Sequence, residues 1–229
     1  MFAPAQHAGP QRRYFTITAL AVTGIVFAGF VPLYTLRLLA RDPLLTLLVQ
    51  AHGLVMVSWI ALFLIQTQLI ARGRADLHRK FGVCGAALII AMLTIGIPVL
   101  LNAAARKAHG ASGAPFYLRL VAFDGVNLLL FACLAAWGVA MRSRSDYHKR
   151  LMLLATLSLL GPAFGRLSEY ANGLRTGNDL AVLLLMLACL VACVAVDTLW
   201  VRRLHPAWLW GVLPVAAADL LTYVAKTRL

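Results

Sequence analysis

Apolar positions along this chain come in long blocks, and the polar positions collect in short clusters between them. Seven blocks read as helical spans: residues 14–36, 47–70, 81–101, 116–141, 151–167, 180–201 and 207–224. Most approach the roughly 20 residues a helix needs to cross about 30 Å of hydrocarbon. The fifth and seventh are the weakest. The fifth reaches Gly161-Pro162, which should kink rather than end it, because neighbouring helices can satisfy the freed backbone groups. The seventh carries Asp219. The first is too long, and the residues after it too unlike a small-residue cleavage site, for a removed signal peptide, so it counts as helix one. The expected fold is all-α: a polytopic transmembrane bundle of seven helices. It forms a single transmembrane domain over residues 1–229, with residues 1–13 as a short cytoplasmic tail. No linker, low-complexity stretch or second domain interrupts it.

Composition agrees. The chain is 62% hydrophobic and 13% charged, against about 45–50% and about 25% in ordinary soluble domains. A water-soluble monomer could not hide that much apolar surface, so the lipid bilayer is the natural solvent. The net charge of +13 would suggest nucleic acid in a soluble protein. Here the basic residues sit between apolar blocks and form no stripe with interleaved aromatics, which reads as membrane orientation; no nucleic-acid partner is expected. With the N-terminus inside, 12 of the 21 Lys and Arg residues fall on the inner side. Two inner loops hold four each: Arg72, Arg74, Arg79 and Lys80, then Arg142, Arg144, Lys149 and Arg150. That density favours a cytoplasmic N-terminus and a C-terminus outside. Cys84, Cys133, Cys189 and Cys193 all lie inside apolar blocks and read as small packing residues.

One helical hairpin is used twice, as helices two and three and again as helices four and five. His52-Gly53 opens helix two, and Asp76-Leu77-His78-Arg79-Lys80 opens helix three; Asp124-Gly125 opens helix four, and Asp146-Tyr147-His148-Lys149-Arg150 opens helix five. Each Asp reads as an N-cap and each basic pair as a head-group contact. Neither role explains a histidine at the same offset twice. A third histidine, His205, precedes Pro206 at the inner start of helix seven. His78, His148 and His205 thus fall at one membrane face, each at a helix N-terminus, where the helix dipole favours neutral imidazole, the ligand form. Asp197 lies about one turn inside helix six, where a carboxylate needs a partner or a wet pocket. It either completes a His/His/His/Asp metal shell or pairs with Arg202 or Arg203.

His52 and Asp124 form the corresponding outer-face pair. The 26 residues from His52 to His78 would span about 39 Å as helix, so those two histidines cannot share one metal ion or haem iron. Also on the outer side, Arg166 and Glu169 read as a helix-end ion pair beside Tyr170, and His109 lies in a Gly/Ala/Ser-rich loop. Asp219 is the remaining costly group, a hydrogen-bonded residue or a proton or cation contact.

The segments HGLVMVSWIALFLIQTQLIARGRADLHRKFG, DYHKRLMLLATLSLLGPAFGRL and RLHPAWLWG resemble those of a widespread group of uncharacterised bacterial multi-pass membrane proteins. That likeness implies the bacterial inner (cytoplasmic) membrane and carries over no particular activity. Leu77-His78-Arg79-Lys80-Phe81-Gly82 is also similar to an element of bacterial b-type cytochromes in which the histidine starts a helix and ligates haem. The resemblance implies His78 as one axial ligand. The repeat then nominates His148 as the other, and Arg79, Lys80, Lys149 and Arg150 for the propionates. Such cytochromes place ligands deeper, and usually on both sides of the membrane.

Three functions compete. The leading one is a redox protein holding haem b at the inner histidines and exchanging electrons with quinone or another membrane redox partner. The second is a transporter or lipid-binding protein using His52, Asp124 and Asp219 for a proton or cation and the basic loops for anionic head groups. The third is a membrane hydrolase or oxygenase with a Zn or Fe ion held by His78, His148, His205 and Asp197. A scaffold subunit without a site of its own is also compatible.

Overall fold

The computed structural model describes residues 8–110, 114–173 and 177–228, with side chains over 11–105, 124–173 and 177–225. The described residues form helices and no strands: α1 (Ala8–Leu39), α2 (Leu47–Ala71), α3 (Ala75–Gly110), α4 (Ala114–Ala140), α5 (Ser145–Leu157), α6 (Gly161–Ala171), α7 (Asp179–Val201) and α8 (Pro206–Arg228). Five of them (α1, α2, α3, α7 and α8) are long and apolar enough to cross a membrane; α5 and α6 together make a sixth candidate, bent by 41°. The described apolar part of α4, Asp124–Ala140, is shorter. Such a bundle is compatible with an integral membrane protein. Ile17, Leu47, Val83 and Leu199 are all more than 60% exposed, an apolar exterior suited to lipid.

The expected fifth span is two helices. Pro162 lacks a backbone N–H and its ring crowds the preceding turn; it stands in the first turn of α6, where the missing donor has no partner to lose. The chain leaves α5 through tight turn bonds, with Leu160 N–H donating to the Leu157 carbonyl at 3.0 Å. Other boundaries also moved. Residues 8–13, expected in the tail, open α1. The helix α3 runs to Gly110, so the backbone of His109 is helical rather than looped, and its side chain lies outside the described residues.

Core packing centres on α5, which lies on α4 and α8. Leu151, Leu153, Leu154 and Ala155 are fully buried. The Trp59 ring meets Phe131 edge-on at 4.9 Å, and its indole N–H donates to Thr156 at 3.3 Å. Two glycines permit close helix contact: a Cβ on Gly211 would strike the Leu154 side chain, and one on Gly29 would lie 2.8 Å from the Ala163 carbonyl oxygen. Next to Gly29, Pro32 interrupts the ladder of α1. The Tyr170 hydroxyl enters the gap, donating to the Gly29 carbonyl at 2.8 Å and accepting from Leu33 N–H at 3.2 Å.

Candidate functional site

Both Asp-x-His elements lie in first turns. Asp76 and Asp146 are the second residues of α3 and α5, so neither is the N-cap; both sit where the helix dipole favours a carboxylate. Asp76 accepts from the Arg74 guanidinium, with N–O separations of 3.3 and 3.4 Å, in an exposed pair. Successive helical residues turn by 100°, so Asp146 and Arg150 share one flank of α5 while His148 points to the other. That rotation divides the expected histidine cluster in two.

On the first flank lies a buried ion pair. Arg150 is 1% exposed and Asp197 fully buried. The guanidinium donates from Nε to Asp197 Oδ2 at 2.6 Å and from Nη2 to Oδ1 at 3.0 Å, and its Nη1 donates to the Asp146 carbonyl at 2.7 Å. Trp208 Nε1–H adds a bond to Oδ2 at 2.8 Å, and Gln11 Nε2 one to Oδ1 at 3.3 Å. Four donors fill the about four acceptor positions of a carboxylate, leaving none for a metal ion. The partner of Asp197 is therefore Arg150, not Arg202 or Arg203. The Arg150 guanidinium is likewise committed, and cannot also serve a propionate.

His205 belongs to the same flank. Its Nδ1 accepts from Ala207 N–H at 3.1 Å, so its Nε2 carries the proton and donates to Asp146 Oδ2 at 3.0 Å. The Tyr147 ring closes over it edge-on at 4.6 Å. Burial lowers the imidazole pKa against the upward pull of the Asp146 carboxylate. Both ring nitrogens are occupied, so His205 is a structural link between α5 and the start of α8. Lys149 leans the same way, donating to Gln11 Oε1 at 2.8 Å with its ammonium 5.4 Å from the centre of the Phe15 ring.

On the second flank, His78 and His148 come together. Helices α3 and α5 both lie on α4. Their histidine rings meet with centres 6.0 Å apart and planes 82° apart. His148 Nδ1 is 2.7 Å from the Gly138 carbonyl, which can only accept, so Nδ1 carries a proton and Nε2 is the nitrogen available to ligate in the imidazole form. Gly138 has no room for a side chain: a Cβ there would lie 2.8 Å from the Met152 sulfur. The Nδ1 of His78 is buried without a hydrogen-bond partner. Arg79 and Lys80 stand exposed beside it.

The four-ligand shell of His78, His148, His205 and Asp197 is not assembled. Among the described residues, no group of three or more His, Cys, Asp or Glu side chains is placed to hold a metal ion. At the far end of the bundle, His52 packs beside Gly96 of α3, where Leu128 of α4 also abuts, and Asp124 is one turn from that leucine. The Arg166–Glu169 ion pair forms at 2.9 Å. Asp219 is 9% exposed, and its Oδ2 has no partner among the described residues.

Gln11, Tyr14 and Trp208 complete the polar network, and the sequence reading missed all three. Tyr14 ties α1 to α7 by donating to the Cys193 carbonyl at 2.9 Å. The one available signal was that a carboxylate inside a span demands donors from several helices. Comparison of the chain with protein-family models, curated proteins and solved structures finds no match.

Proposed function

We propose that this protein is a membrane redox protein in which His78 and His148 hold a b-type haem and pass electrons to or from quinone or another membrane partner. The observation that carries the reading is the meeting of these two imidazoles, one from the first turn of α3 and one from that of α5, 6.0 Å apart between ring centres. With a metal–nitrogen bond of about 2 Å and about 1 Å more to the ring centre, two imidazoles whose centres lie roughly 6 Å apart could hold one ion between them. The free lone pair on His148 and the unpartnered Nδ1 of His78 suit that use. Gly138 acts as the outer partner of a ligating histidine, fixing its tautomer and ring orientation through the Nδ1–H bond.

Two ligands suit haem, whose porphyrin supplies the other four, better than a bare Zn or Fe ion, which needs a third and fourth protein ligand. When bound, haem supplies one-electron chemistry. Of the basic residues at this end, Arg79 and Lys80 are left to meet the propionates, since Arg150 and Lys149 serve the opposite flank. The expected setting is the cytoplasmic side of a bacterial inner membrane.

The test is a haem titration of the purified protein with parallel metal analysis. One haem per chain should bind, with a Soret band. His78→Ala and His148→Ala should each abolish it, and His205→Ala should leave it intact. A folded protein that takes up no haem, or one that binds it equally in the His148→Ala variant, overturns the proposal.

A further inference from the structure

Between α1 and α7, floored by Leu157 and Leu160 at the α5–α6 break, lies an apolar groove of about 830 Å³. Small side chains make the space: Thr18 and Ala21 on one wall, Cys189, Ala192 and Cys193 on the other. Arg13 and Trp200 stand at the end nearest the buried ion pair, and Trp200 also borders a second, polar recess of about 180 Å³. That recess is lined by Gln11, Asp146, Lys149, Arg150, Arg203 and His205. An apolar slot thus runs into a polar chamber at the end of the bundle where the basic loops gather.

Charge in the chamber is unbalanced. Asp197 is saturated by Arg150, Trp208 and Gln11; the Asp146 carboxylate accepts from the neutral His205 and leaves one negative charge in the recess against the two cations Lys149 and Arg203. Lys149 donates only to the neutral Gln11 oxygen, and no carboxylate among the described residues lies within ion-pair distance of Lys149, Arg203 or Arg13. An ammonium has three donors, so Lys149 keeps two, and an anion in the recess would meet them together with Arg203, with Arg13 at the end of the adjoining groove that shares Trp200 with the recess.

We infer that the groove and recess form one binding site for an anionic phospholipid of the surrounding leaflet, with an acyl chain between α1 and α7 and the phosphate against Lys149, Arg203 and Arg13. A zwitterionic lipid would fill the groove equally well but would bring a quaternary ammonium into a chamber that already has excess positive charge. The inference does not depend on the His78–His148 pair, which lies on the other flank of α5.

The test is native mass spectrometry of the detergent-purified protein titrated separately with phosphatidylglycerol and phosphatidylcholine. Wild type should retain one phosphatidylglycerol at least tenfold more tightly than phosphatidylcholine, and inorganic phosphate should not displace it. Arg203→Gln, a change at an exposed residue, should cut the preference several-fold, and Lys149→Gln with Arg203→Gln should erase it. Ala192→Phe, which narrows the groove, should weaken both lipids. Equal binding of the two lipids by wild type overturns the inference, and so does a preference that survives in Arg203→Gln and in the double variant.

Discussion

Replacing Arg150 by methionine removes the cation of the buried pair while keeping most of the side-chain volume. Asp197, fully buried, then loses two of its four donors, and the Asp146 carbonyl loses its bond from the guanidinium. Breaking a buried pair from one side costs about 3–5 kcal/mol, because the surviving charge is left without compensation. At roughly 2–4 °C per kcal/mol for a chain of this size, the unfolding temperature should drop by about 10 °C. Thermal unfolding followed by circular dichroism, in one detergent and at one scan rate, measures it. The decisive comparison is the double variant Arg150→Met with Asp197→Leu. It removes both charges, so most of the loss should return, with about 1 kcal/mol outstanding for the orphaned Trp208 N–H. A single variant within about 2 °C of wild type, or a double variant no better than the single, would refute the reasoning.

Three further outcomes follow from the geometry. The His205 pKa is depressed by burial, so its neutral form stabilises the fold above the unfolded value of about 6.5, and that contribution is lost as pH falls. The unfolding temperature should therefore fall between pH 7 and pH 5 more steeply in wild type than in His205→Asn, which keeps an acceptor and a donor but cannot be protonated; parallel curves would argue otherwise. Gly29→Ala sets a Cβ against the backbone of Ala163 and should cost about 1–3 kcal/mol by the same melting assay, whereas Gly24→Ala, with open space around it, should be nearly silent. Tyr170→Phe removes the hydroxyl that spans the rung beside Pro32 and should cost about 1 kcal/mol, with faster hydrogen exchange confined to α1 around Leu33.

Legibility in the sequence divided by physical cause. Apolar blocks determined where most helices lie, because the number of residues needed to cross hydrocarbon is set by helical rise: the block 47–70 became Leu47–Ala71 and 180–201 became Asp179–Val201. Hydropathy alone started α3 only at its apolar run, at residue 81; the Asp76 capping signal put the start within two residues of Ala75, since a first turn of Asp76, Leu77 and His78 is held by backbone bonds and the dipole rather than by burial. The break at Pro162 was visible as a weak point. Its full extent was not, because whether a proline kinks or divides a helix depends on what packs around it. At the candidate site, the repeated offset of His78 and His148 was readable, and the structure brings those two together. Placing His205 and Asp197 with them assumed that a shared membrane face implies a shared site. The 200° between Asp146 and His148 on α5 separates them instead. Arg150 was overlooked as the partner of Asp197 because its basic neighbours in sequence resemble ordinary loop charges, and only the packing of α8 on α5 and the reach of Arg150 to Asp197 of α7 show that it is buried.

The proposed holding of one haem between His78 and His148 has a direct readout in the electron paramagnetic resonance spectrum of the oxidised, haem-loaded protein. Two neutral imidazoles with nearly perpendicular ring planes should give the strongly anisotropic low-spin ferric signal of bis-imidazole ligation, converted to a high-spin signal or lost in both His78→Ala and His148→Ala. A high-spin ferric signal in wild type, or a low-spin signal unchanged in either variant, would contradict it.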